Sequence, residues 1–243
     1  IWRLLDKWND TYYMKELVSN RQFLMSFCRA RVDEDILKKV SKSIRQDIKS
    51  FFPEKDGLLK KVVYDQFGTQ TGRLVVSSGP SILTLRKDIR GIIKSRFVDG
   101  LIVEIDFVSM EPRIALGICE KHIDGDLYEH FSNDIFMGKK TRDEVKIAIL
   151  STLYGSAPTC MEEKIMREAI REKFQIAAWE RRLKKELERS GHIENLFGRK
   201  IYPKTDKKHV LYNNLIQSTA ADASILAFSN LISSLKSKGS KVK

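Results

Sequence analysis

The sequence predicts an α+β fold, and three observations carry that expectation. Apolar residues recur at helical spacing over long stretches towards both ends of the 243-residue chain. Between them, short β-prone runs alternate with Gly and Ser. One apolar segment of strand length, Leu101-Ile102-Val103-Glu104-Ile105-Asp106, fits a strand buried on both faces. A chain of this size with 42% hydrophobic residues can bury one large core or two modest ones.

Residues 1–50 read as helices. Trp2, Leu5, Trp8 and Tyr12 share one spacing, and Ile36, Leu37, Val40, Ile44 and Ile48 form a second apolar stripe among charged residues. The cluster Phe52-Pro53-Glu54-Lys55-Asp56-Gly57 is a turn. Lys61 to Tyr64 and Leu74 to Ser77 are the β-prone runs. Val98-Asp99-Gly100 turns the chain into the 101–106 strand, and a helix starts at about Met110. Residues 141–154 form a helix capped by Thr141, with Asp143 and Glu144 in its first turn. Residues 160–190 read as a long, charged, helical stretch with Trp179, Leu183 and Leu187 at four-residue steps. His192 to Tyr202 reads as a hairpin around Phe197-Gly198-Arg199, and a last helix runs from about His209 to Leu235.

Lys and Arg total 44 against 32 Asp and Glu, a net charge of +12 that suits a polyanionic partner as well as a merely basic surface. Cys28, Cys119 and Cys160 are odd in number and far apart, which indicates neither a disulfide framework nor a zinc knuckle. Thiols in a reducing compartment are expected, hence an intracellular protein. No membrane span is expected. The start Ile1-Trp2-Arg3, with no initiator Met and no leader pattern, suggests a chain cut from something longer.

Four groups of residues have chemical potential. Asp106, at the end of a buried strand, needs a partner, and a hard divalent cation is one; a helix cap is another. Arg142, Lys146, Leu150 and Tyr154 lie four residues apart, so each step advances about 40° around a helix. Cations near a helix start oppose the macrodipole, and a triphosphate would account for them. A solvated basic face with Tyr154 in the core has the same spacing. Thr71-Gly72-Arg73 with Ser77-Ser78-Gly79-Pro80 would let backbone approach a sugar-phosphate strand, with Arg73 at a phosphate or groove edge; an ordinary surface turn looks similar. Asn213 and Gln217 place flat amides on a helix, where Gln217 would read a minor-groove acceptor or simply belong to a polar cluster.

The order of these pieces resembles the family A DNA polymerases, the bacterial polymerase I type, from about Thr69 to about Phe228. Thr71-Gly72-Arg73-Leu74 followed by Ser-Ser-x-Pro is similar to the primer–template motif. Glu104-Ile105-Asp106-Phe107-Val108-Ser109-Met110-Glu111-Pro112-Arg113 resembles motif A, and Arg142 to Lys146 to Tyr154-Gly155 resembles motif B, the O helix of the fingers. Gly191-His192-Ile193-Glu194-Asn195-Leu196-Phe197-Gly198-Arg199 and Asn213 to Gln217-Ser218-Thr219-Ala220-Ala221-Asp222 resemble the two motifs that follow.

The resemblance implies a right-hand polymerase architecture: an antiparallel palm sheet, helical fingers and a partial helical thumb. It divides the chain into thumb (1–60), first palm part (61–122), fingers (123–205) and palm return helix (206–243). Asp106 would bind two magnesium ions, or manganese in their place, assisted by the Phe107 carbonyl. Glu111 would be the steric gate against a ribose 2′-hydroxyl. Arg142 and Lys146 would hold the triphosphate, Lys146 would also protonate the leaving pyrophosphate, and Tyr154 would stack near the templating base. Thr71, Arg73, Asn213 and Gln217 would contact DNA. The implied partners are primer–template DNA and deoxynucleoside triphosphates, bound by a monomer that replication proteins would join, in the cytoplasm of a bacterial or virus-infected cell or in an organelle.

Two departures stand out. Leu150 occupies a position that is aromatic in the family, which weakens stacking on the incoming nucleotide. The family's second catalytic carboxylate, in a His-Asp-Glu hairpin, would come after Lys243, so this chain by itself is expected to be inactive. The alternatives are a non-catalytic DNA-binding remnant and a single-subunit RNA polymerase relative; Glu111 argues against the latter.

Overall fold

The computed structural model describes residues 12–39 and 48–242; Trp2, Leu5, Trp8, Val40 and Ile44 lie outside them. It divides into two compact units, residues 1–106 with 224–243, and residues 107–223.

In the first unit, α1 (Tyr12–Met25) leads into β1 (Arg31–Val32) and α2 (Glu34–Lys39). β2 (Val63–Asp65) pairs antiparallel with β3 (Val75–Ser78) across a bulge at Val63 and Tyr64, and β4 (Ile93–Lys94) returns antiparallel to β1. The turn read at 52–57 is closed by the Gly57 amide donating to the Glu54 carbonyl at 2.9 Å. Arg29 ties that turn down, donating to Asp56 at 2.5 Å and to the Leu59 carbonyl at 2.7 Å. Leu37, Ile48, Phe51, Leu59, Leu85, Ile89 and Ile92 make its core.

The second unit is helical. It contains α3 (Met110–Gly117), α4 (Leu127–Phe136), α5 (Arg142–Leu153), α6 (Met161–Lys173) and α7 (Ile176–Ser190). A hairpin of β5 (Ile193–Glu194) and β6 (Lys200–Ile201) follows, and then α8 (Lys208–Ser237), whose last residues belong to the first unit. The core joins Leu127, Phe131, Val145, Ile149, Leu153, Ile170, Phe174, Leu183, Leu211 and Ile216. Trp179 and Leu187, read from the helix period, pack against it.

Local signals gave correct elements. Thr141 caps α5 through a capping box: its hydroxyl accepts from the Glu144 amide while the Glu144 carboxylate takes the Thr141 amide at 2.8 Å. The hairpin at 192–202 forms around Gly198, and the helix at 110 starts where expected.

One expectation is corrected. Leu101–Asp106 is not a buried strand: the segment is irregular and exposed, with Leu101 87% and Val103 72% accessible. Among the described residues no strand pairs with it, and an apolar run is buried only when neighbouring strands and a covering layer exist. Among the described residues the sheets are accordingly three two-stranded antiparallel pairs rather than one broad sheet. The charged helical stretch read at 160–190 is present as two helices, α6 and α7. Phe174 is fully buried and stacks on Phe131 with ring centroids 5.3 Å apart, and Gln175 takes a left-handed conformation at φ 49°. The chain bends there because the ring is anchored in the core.

Candidate nucleotide and nucleic-acid site

Asp106 and Phe107 stand in the exposed 101–107 segment. Among the described residues no three His, Cys, Asp or Glu side chains gather as metal ligands. Magnesium is held by one or two carboxylates plus substrate phosphates. A single Asp106 therefore fits an ion carried in by a triphosphate, and does not fit a cage made by protein alone.

Four site residues, Glu111, Arg142, Lys146 and Tyr154, belong to the second unit. Glu111 lies in the first turn of α3, whose N-cap Ser109 adopts φ 54°, and Tyr154 closes the C-terminal end of α5. The Tyr154 hydroxyl donates to the Glu111 carboxylate across 43 positions of sequence. This joins the two residues read separately as gate and stacking ring. Gly155 follows at φ 70°, and a Cβ there would stand 2.6 Å from the His209 ring of α8. A side chain at that position would be strained by the backbone and blocked by the ring, so the Tyr-Gly pair has a local structural cause.

Arg142 opens α5 and is engaged by protein. Its Nε donates to Asp126 Oδ2 at 2.9 Å, and its guanidinium lies 5.3 Å from the Tyr128 ring centroid. Asp126 is the N-cap of α4, accepting from the Tyr128 and Glu129 amides at 2.9 and 3.1 Å. Partial burial pushes the Asp126 carboxyl up, but the Arg142 guanidinium and those two amides outweigh it and hold it below the usual carboxylate range. Sequence reasoning missed Asp126, because the partner that orients Arg142 lies 16 residues away. One turn on, Lys146 is exposed and has no ion-pair partner among the described residues. Leu150 is half-buried.

Thr71 and Arg73 sit between β2 and β3 in the first unit. Thr71 is buried and Arg73 exposed, with Gly72 at φ 73° turning the chain between them. Of this pair only Arg73 has its side chain in reach of a strand. On α8, Asn213 and Gln217 are half-buried while Tyr212, Asn214, Leu215, Ile216 and Ser218 are buried. The two amides therefore mark the one row of this stretch that faces outward.

Beneath that row lies a buried polar network that sequence reasoning quoted as motif without assigning a role. Arg199 grips Asp222 through two bonds, Nε to Oδ2 at 2.9 Å and an Nη to Oδ1 at 2.6 Å. The Asn195 amide adds bonds to Asp222 at 2.7 Å and to Ser218 at 3.0 Å, and its Oδ1 accepts from the Phe197 and Arg199 amides. The β5–β6 turn is thus pinned to α8, which fixes the helix face bearing Asn213 and Gln217.

No family model matches the chain, and no curated protein matches its sequence. Among solved structures it is similar to the POL domain of Pol1 from M. smegmatis in complex with DNA primer-template and dNTP. The TM-score is 0.60 and the identity 18%, over 77% of this chain and 40% of that one. The chain thus spans less than half the length of that structure, and at this identity the likeness is one of fold: mixed helix and small antiparallel sheets of a DNA polymerase domain.

Proposed function

We propose that this chain is the nucleotide-selecting core of a template-directed DNA polymerase of the family A type. The observation that carries the reading is the Tyr154–Glu111 hydrogen bond. It couples the end of the cation-bearing helix to the carboxylate expected to exclude a 2′-hydroxyl, within a fold similar to a polymerase domain solved with DNA and dNTP. The reaction would be in-line attack of a primer 3′-hydroxyl on the α-phosphate of a deoxynucleoside triphosphate, with pyrophosphate leaving.

Each residue then has a physical task. Lys146, an exposed point charge, would meet the triphosphate and donate a proton to the departing pyrophosphate. Arg142, whose Nε and one Nη are held by Asp126, would offer its positive charge and remaining nitrogen to phosphate oxygens. Tyr154 would offer its ring to the nascent pair while its hydroxyl steadies Glu111. Arg73 and Gln217 would touch the primer end. Asp106 would be the protein ligand of a magnesium or manganese ion, which would supply charge neutralisation to the triphosphate. Leu150 would give apolar contact where the family stacks an aromatic ring.

The test is primer extension by the full-length protein with deoxy- and ribonucleotides in parallel. Glu111→Ala should raise ribonucleotide use relative to deoxynucleotide use at least tenfold. Unchanged selectivity would remove the gate assignment and, with it, the observation on which the reading stands. A non-catalytic DNA-binding module is the second reading, in keeping with a likeness of fold and a net charge of +12. It predicts DNA binding with no extension at all.

A further inference from the structure

We infer that the outer face of α7 is a binding track for the backbone of single-stranded nucleic acid, separate from the residues assigned above. Arg181, Lys185 and Arg189 follow one another at four-residue steps, and Arg182 completes the group. At about 100° per residue the four fall within roughly 100° of arc, along about 12 Å of helix. They are exposed, and they lie opposite the buried face of Ile176, Glu180 and Leu183.

Most of the acids that would ordinarily neutralise such a stripe pair with other cations. Glu180 pairs with Arg171 at 2.8 Å, while Glu186, whose carboxylate accepts the Glu194 amide at 2.7 Å, is the one acid left beside the four cations. Glu188 lies 3.9 Å from Lys184. Among the described residues none of the four cations has an ion-pair partner, whereas Arg142, Arg167, Arg171 and Lys173 of the same unit each have one.

The stripe also has shape. Arg181, Arg182, Lys185 and Arg189 line a groove of about 620 Å³ with Ala178 and Glu186. At its edge Arg182 lies over Trp179, with the guanidinium 4.7 Å from the ring centroid. Cations that track a backbone beside a flat guanidinium–indole pair are what an unpaired strand uses, since phosphates meet the charges and a base can stack on the plane. A duplex has no free base to place there, and an acidic peptide has no use for the stack.

Fluorescence anisotropy of a labelled oligothymidylate, a hairpin duplex and polyglutamate as competitor tests this, without triphosphate and without scoring extension. The polymerase reading and this one can therefore fail separately. Replacing all four cations by Gln (R181Q, R182Q, K185Q, R189Q) should weaken single-strand binding at least tenfold. It should also flatten the slope of log affinity against log salt by about 3, because each single-strand phosphate contact contributes about 0.7. R181K, R182K and R189K together should keep the salt slope. If the four-site variant melts lower than the parent, the pairs R181Q with K185Q and R182Q with R189Q should each carry about half of the change. Unchanged affinity and slope, a loss confined to duplex, or displacement by polyglutamate as effective as by oligothymidylate would each overturn the assignment.

Discussion

Removing the Asp222 carboxylate should destabilise the second unit more than any exposed substitution in it. Arg199 and Asp222 are 5% and 6% accessible, so neither charge can turn to water. Asp222→Ala deletes the two Arg199 bonds at 2.9 and 2.6 Å and the Asn195 bond at 2.7 Å. The guanidinium then stays buried without its counter-charge. Breaking a buried pair from one side costs about 3–5 kcal/mol, against about 0–1 kcal/mol for a surface pair. For a domain of this size, at about 2–4 °C per kcal/mol, that is a fall in Tm of order 10 °C. Thermal unfolding followed by circular dichroism measures it. The double variant Arg199→Met with Asp222→Leu, which removes both charges, should recover most of the loss. A fall of less than about 2 °C for Asp222→Ala would refute the claim that this network anchors the β5–β6 turn to α8.

Three further outcomes follow from the same structure. The buried Tyr212 hydroxyl has no hydrogen-bond partner among the described residues, and burial pushes its ionisation far above the usual range. Tyr212→Phe should therefore leave Tm unchanged or raise it, and a fall of several degrees would reveal a bond the structure does not contain. The Asp126 carboxyl titrates below its unfolded value of about 3.9, so its contribution is complete above that pH and is lost as pH falls through the lower folded value. The Tm gap between parent and Asp126→Asn should be largest at neutral pH and close in acid; a gap that widens in acid reverses the sign and excludes the argument. Lys146→Ala should slow single-turnover primer extension by roughly 10²-fold or more, with primer–template affinity little changed. An equal loss in DNA affinity would move Lys146 from the triphosphate to the DNA.

What the sequence disclosed was mostly local. The Thr141 cap with Glu144, the 192–202 hairpin and the last helix were legible because the groups that decide them lie within a few residues. The Leu101–Asp106 run was misread because an apolar segment records the capacity for burial, whereas burial itself depends on strands elsewhere. The bend at Phe174 was hidden for a related reason, since its cause is a stacking partner at Phe131. The site divides in the same way. Spacing put Arg142, Lys146 and Tyr154 on one helix, but could not indicate that Arg142 is bound by Asp126 or that Tyr154 bonds Glu111. Nor could it separate Arg199 and Asp222, which hold structure, from neighbours in the same motifs that face outward.

The central claim is that this chain carries the catalytic carboxylate and nucleotide-holding residues of a DNA polymerase. Its most direct test is extension of a primed template by the full-length protein, wild type against Asp106→Ala, at matched DNA binding. The account predicts templated extension by the wild type and a loss of at least several hundred-fold in the variant, with the primer still bound. Equal extension by both proteins, or none by the wild type with DNA firmly bound, would contradict it.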